Sequence, residues 1–154
     1  MGDRVTNSII VKRDVAAVFQ VWANFENFPY FMKNIQAVTR TSPLTSHWVM
    51  DGPLGKTIEW DAQITTFEEN KRIAWSSQDM TNGNTLKTSG QVTFNPLSHG
   101  ETEITVMLHY APLAGLAGEI AAALFANPEK RLDEDLRNFK KYVEGKYERL
   151  PQQS

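Results

Sequence analysis

Between Ile35 and Tyr110 the apolar residues of this chain recur at every second position, whereas before and after that stretch they recur every three or four. A period of two suits extended strands, whose side chains alternate between two faces, and a period near 3.6 suits a helix with one apolar stripe. The chain is therefore expected to fold as a sheet with helices on either side of it in sequence. Thr57 to Phe67 (TIEWDAQITTF) is the clearest strand: Ile58, Trp60, Ala62 and Ile64 share one face, and Glu59, Asp61, Gln63 and Thr65 share the other. Ile73 and Trp75 continue the pattern, then Val92 and Phe94, then Ile104, Val106, Leu108 and Tyr110. Ile35 to Thr41 and Ser46 to Met50 supply two more strands, and the β-branched run Val5 to Val11 a first one.

The breaks carry turn chemistry: Asp51 to Gly55, Glu68-Glu69-Asn70, Asn82-Gly83-Asn84 and Asn95 to Gly100. Links this short join neighbouring antiparallel strands, so the sheet is expected to be a meander. After the first strand, Asp14 stands at an N-cap position, followed by Val15, Val18, Phe19 and Trp22 at helical spacing. Asn24 to Met32 reads as a second short helix with Pro29 in its first turn, and its Phe25, Phe28, Phe31 and Met32 as core packing.

One face of such a sheet is apolar and needs a cover. Leu113, Leu116, Ile120 and Leu124 form one helical stripe, and Leu132, Leu136, Phe139 and Val143 another, with Pro128 between them. The opposite face of the last helix is charged, with Glu129, Asp133, Glu134 and Asp135 early and Lys140, Lys141 and Lys146 late. That order suits the helix dipole and reads as a solvated face. The expected class is α+β: a curved antiparallel sheet of about seven strands on a long C-terminal helix, with two short helices after the first strand. A single domain over residues 1–154, with its core at about 5–147, fits the length.

Several chemistries are disfavoured. The 16 basic and 18 acidic residues give a net charge of -2, without the clustered basic face of a nucleic-acid-binding domain. With no cysteine there is no disulfide framework and no thiolate zinc site, a composition that fits a reducing, cytoplasmic setting. No segment is apolar over the roughly 20 residues of a membrane span, which leaves only transient membrane contact. His47, His99 and His109 show no paired-His or His-plus-carboxylate spacing, so no metal is expected, and no glycine-rich phosphate loop or other cofactor motif is present. Glu59 and Asp61 project together from one strand face, but Ile58, Trp60 and Ala62 have the stronger claim to the interior. The two carboxylates are expected in solvent, and no catalytic residue is assigned.

Val18 to Met32 (VFQVWANFENFPYFM), His47-Trp48, Gly52 to Gly55, Glu59-Trp60-Asp61, Ile73-Ala74-Trp75 and Leu132 to Lys140 (LDEDLRNFK) together resemble a bacterial START-like family, labelled polyketide cyclase/dehydrase or SRPBCC. The resemblance runs from about Val5 to Tyr147 and implies the helix-grip fold with a hollow under the closing helix. The expected partner is a small hydrophobic molecule such as a lipid, quinone or polyketide. The expected cavity lining is Trp48, Trp60, Trp75, Phe94 and Tyr110 from the sheet, with Leu116, Ile120 and Leu124 from the cover, the alternative being that the same side chains pack as solid core. Two other readings stand beside this one. An enzyme that folds and dehydrates a polyketide would need a polar group in the cavity, with Tyr110, Ser89 and Thr88 available, and an interaction protein would need an exposed apolar patch. Oligomeric state is not legible in the chain.

Overall fold

The computed structural model describes residues 3–51, 55, 57–77, 86–112 and 128–153, with the backbone alone at 3, 86–87, 110–112 and 146–153. The elements in chain order are β1 (Asp3–Val11), α1 (Val15–Ala23), a 3-10 helix (Phe25–Tyr30), β2 (Ile35–Ser42), β3 (Thr45–Asp51), β4 (Thr57–Glu68), β5 (Arg72–Ser77), β6 (Leu86–Leu97), a 3-10 turn (Ser98–Gly100), β7 (Glu101–Pro112) and α2 (Pro128–Gln153). The seven strands form one sheet in the order β1-β7-β6-β5-β4-β3-β2. Every neighbouring pair is antiparallel. Six consecutive strands thus make the expected meander, and β1 crosses to pair with β7.

Alternation decides which face is inside. Ile58, Trp60 and Ala62 of β4 are buried, as are Ile73 and Trp75 of β5, Val92 and Phe94 of β6, and Ile104 and Val106 of β7. A register shift between Ile64 and Thr66 puts a bulge in β4, and two more interrupt the β2–β3 pairing. Bulges bend the strand that carries them, which helps the sheet curl toward its cover. Pro96 is tolerated within β6 because only β7 pairs with it there, the β5 ladder having ended at Thr93.

The helices fill that concave side. Leu132, Leu136, Phe139 and Val143 of α2 are all buried, so the stripe read from the sequence has the right phase. Trp22 of α1, Phe28 and Phe31 lock against Phe139 in a ring of aromatic contacts 4.9–5.3 Å between centroids, edge-on except for the tilted Phe28–Phe31 pair. Such contacts add to simple burial because ring edge meets ring face.

Three local expectations are corrected. The second short helix is a 3-10 helix, with Pro29 fifth of its six residues. An element this short gives up few backbone bonds, so a proline past its first turn is borne. Asp14 occupies the cap position of α1 in extended conformation, but its carboxylate makes no capping bond. The turn placed over Asn95 to Gly100 is shorter, because β6 runs on to Leu97 and His99 and Gly100 make the reversal with φ of 65° and 71°. The Asn82-Gly83-Asn84 turn and the Leu113 to Leu124 stripe lie outside the described residues.

Candidate functional site: an apolar cavity under the C-terminal helix

Between the inner face of the sheet and the first turns of α2 lies a cavity of about 170 Å³. Its wall on the sheet side is built from Trp48, Trp60 and Trp75, one each from β3, β4 and β5. Trp48 and Trp60 are directly opposed across the β3–β4 ladder, and their rings stack at 5.8 Å with 16° between planes. The Trp48 indole N–H donates to Ser46 Oγ at 2.8 Å, which satisfies the one polar atom that this buried ring carries. Phe25 braces the wall from behind, its centroid 5.8 Å from Trp48 and 5.9 Å from Trp75. Val5, Leu108, Met50, Ile35, Phe28 and Met32 extend the apolar lining, and Pro128 and Leu132 of α2 close it from the helix side. The cluster read as core packing is therefore divided: Phe25 and Phe31 pack the interior, whereas Phe28 and Met32 also face the hollow.

Not every expected lining residue takes part. Phe94 is buried, but α1 covers that end of the sheet and Phe19 sits on the Phe94 ring at 5.1 Å, so it belongs to solid core. The Tyr110 backbone pairs with Thr88 and Asp3, while its side chain, with Leu116, Ile120 and Leu124, lies outside the described residues. Of the polar residues weighed on β6, Thr88 lines the cavity. Ser89, one position on and opposed to the exposed His109, belongs to the outer face.

The polar lining otherwise comes from α2 and the loop before β2: Arg131, Asp135 and Asn34. Asp135 corrects the expectation of a wholly solvated charged face. It follows Leu132 by three residues and precedes Phe139 by four, and residues so spaced share one helix face. That position turns the carboxylate toward the cavity edge, where the Lys33 backbone N–H donates to it. Burial pushes the Asp135 carboxyl up to about 7, and the nearby Glu134 adds to this, against the Lys33 N–H and the Arg131 and Lys33 cations. Near neutral pH this group is thus able both to give and to accept a proton. Sequence reasoning passed over it because it stands in a run of charges; only the helical spacing to Leu132 and Phe139 marks it out.

On the outer face, His47 corrects a second expectation. Its Nδ1 lies 2.9 Å from Asp61 and its Nε2 2.8 Å from Glu59, across the β3–β4 ladder. Those hydrogen bonds hold the imidazole above its ordinary pKa. The association is set by strand register (His47 opposes Asp61) and has no signature in linear spacing. Glu59 and Asp61 face solvent as expected, so they are not cavity groups. One carboxylate engages each ring nitrogen, an arrangement for a held imidazolium rather than for a shared metal ion, and no metal-binding group is found among the described residues.

A second, open depression of about 510 Å³ lies beside α1, and its lining includes Leu44 and Phe67, which are 54% and 50% exposed. It supplies the exposed apolar surface that an interaction protein would need. No helix among the described residues is long and apolar enough to cross a membrane.

Comparison with known proteins agrees with this geometry. A family model described as polyketide cyclase / dehydrase and lipid transport matches residues 11–137. An uncharacterized 17.2 kDa protein of Streptomyces lincolnensis is 28% identical over 141 residues, 92% of this chain and 89% of its own. The aromatase/cyclase Zhui of a Streptomyces species superposes with a TM-score of 0.76 at 15% identity, over 94% of both chains. A START superfamily protein of Mycobacterium smegmatis superposes with a TM-score of 0.68 at 18% identity, over 96% of this chain and 98% of its own. The architecture is accordingly the helix-grip fold of START-like proteins.

Proposed function

Because the chain belongs to the polyketide cyclase / dehydrase and lipid transport family, we propose that it binds a compact planar molecule, a quinone or an aromatic polyketide fragment, between its tryptophan wall and α2. The observation that carries this reading is the wall itself: three indoles on one side of a hollow whose few polar residues are Thr88, Asn34, Arg131 and Asp135. Apolar lining with a few convergent polar groups is the ordinary form of a small-molecule site. Size narrows the ligand class. A cavity of about 150 Å³ suffices for benzene, and drug-sized ligands occupy about 300 Å³ or more. At about 170 Å³ the hollow suits one or two fused rings better than an acyl chain.

Titration with 1,4-naphthoquinone tests the reading. Tryptophan emission should be quenched saturably, and Trp75→Leu should weaken the affinity about tenfold, the equivalent of about 1.4 kcal/mol of lost ring contact. Quenching that stays linear in quinone, and unchanged by Trp75→Leu, would remove it.

Asp135 favours a second reading, in which the same pocket dehydrates or cyclises a short polyketide. A carboxyl that titrates at about 7 beside a bound carbonyl would be matched to acid–base work at neutral pH. Under this reading Asp135→Asn abolishes turnover and leaves binding intact; under the carrier reading there is no turnover to lose.

A further inference from the structure

Gly90 occupies an inward position of β6, opposed to Trp75 of β5 on one side and to Leu108 of β7 on the other. Its backbone is that of an ordinary strand, without the positive φ found at Gly55 and Gly100, so conformational freedom does not account for a glycine here. Space does. A Cβ on Gly90 would lie 2.5 Å from Cζ2 and 2.8 Å from Cε2 of Trp75, and 3.0 Å from Cδ2 of Leu108. Carbon atoms in good contact stand about 3.5–4.0 Å apart. The indole therefore lies down on bare β6 backbone.

Trp75 and Leu108 both line the cavity, and Gly90 beneath them does not. Any side chain at position 90 has to lift one or both. Ladders to β5 and β7 hold the β6 backbone on both sides, so the sheet yields poorly, and the open direction is into the hollow. We propose that Gly90 sets the size limit of the site: by leaving the indole room to lie flat, it fixes how large a planar ligand the cavity admits. This inference rests on the cavity being the binding site, and it adds a residue that never touches the ligand but determines which ligands fit.

Two probes of different size, phenol and 2-naphthol, separate this role from general damage. Gly90→Ala should weaken 2-naphthol at least tenfold and leave phenol within about threefold, a tenfold change being about 1.4 kcal/mol. Adding Trp75→Phe to Gly90→Ala, which shrinks the ring that meets the new methyl, should bring 2-naphthol back to the affinity of Trp75→Phe alone, the reference that already carries the loss of the indole. Equal weakening of both probes, unchanged 2-naphthol binding, or no rescue by the double variant would overturn the proposal. Crystal structures of wild type and Gly90→Ala supply a readout independent of ligand: the Trp75 indole should be raised and the cavity smaller. An unmoved indole over a bulged β6 would overturn the inference. If wild type binds neither probe, it is the binding reading that fails, and the indole position still decides the role of Gly90. Should Gly90→Ala alone fail to fold, the double variant should fold, and its failure would show that the Trp75 contact is not the constraint at position 90.

Discussion

Asp135 is a carboxyl that the fold holds in a place costly for its charge. The unfolded carboxyl titrates near 3.8 and the folded one at about 7. Between those values the native state holds a proton that the unfolded state has released, so stability falls as pH rises from about 4 to about 7 and then levels. Asp135→Asn keeps the acceptor for the Lys33 N–H and removes the charge. It should raise stability at pH 8 by on the order of 2 kcal/mol, discounted for partial exposure, and have little effect at pH 4. Denaturant melts at the two pH values measure this directly; equal gains at both would mean that the carboxylate is not held back by burial. The contrast with His47 is instructive at this scale. Both residues depart from what their neighbours in sequence suggest, one because a helix turns it inward, the other because an adjacent strand brings it two carboxylates.

Among the elements, α2 carries the greatest share of what the sequence made legible. Its stripe of Leu132, Leu136, Phe139 and Val143 has a 3.6-residue period that needs no knowledge of partners, and all four are buried. Leu136→Ala should accordingly cost about 2–5 kcal/mol through lost burial and the void left behind. Lys141→Ala, on the exposed side of the same helix, should stay within about 0.5 kcal/mol. Thermal melts of the two variants check the pair, and similar melting temperatures would mean that the helix phase is wrong. The strands were legible for the same reason: Ile58, Trp60 and Ala62 alternate strictly with Glu59, Asp61 and Gln63. Where backbone irregularity enters, the pattern gives less. The bulge after Ile64 and the reversal at His99 depend on hydrogen-bond pairing that no linear spacing records. Phe94 shows the limit for the site, since alternation places it inward but cannot tell a hollow from the part of the sheet that α1 covers.

For the molecule as a whole, the two strands farthest apart in sequence lie side by side in the sheet. β1 pairs with β7 along its full length, with Val5 opposite Leu108 and Val11 opposite Thr102. Val5 and Leu108 are also both cavity residues. The cavity is therefore a property of the assembled sheet: during synthesis the first strand must wait, its edge bare, until β7 has been made. A pairing this remote in sequence raises the mean separation of contacts and so slows folding relative to the meander alone. The meander of β2 to β7, built of neighbours, has every kinetic advantage over β1, whose loop is the costliest to close. Val5→Ala should thus speed unfolding while leaving the refolding rate nearly unchanged, a φ-value near 0 in a chevron analysis. A φ-value near 1 would instead make the N-terminal strand part of the nucleus. A nascent chain stalled before β7 accordingly has all three indoles of the wall but lacks the side that Val5 and Leu108 build together, and its hollow stands open to water.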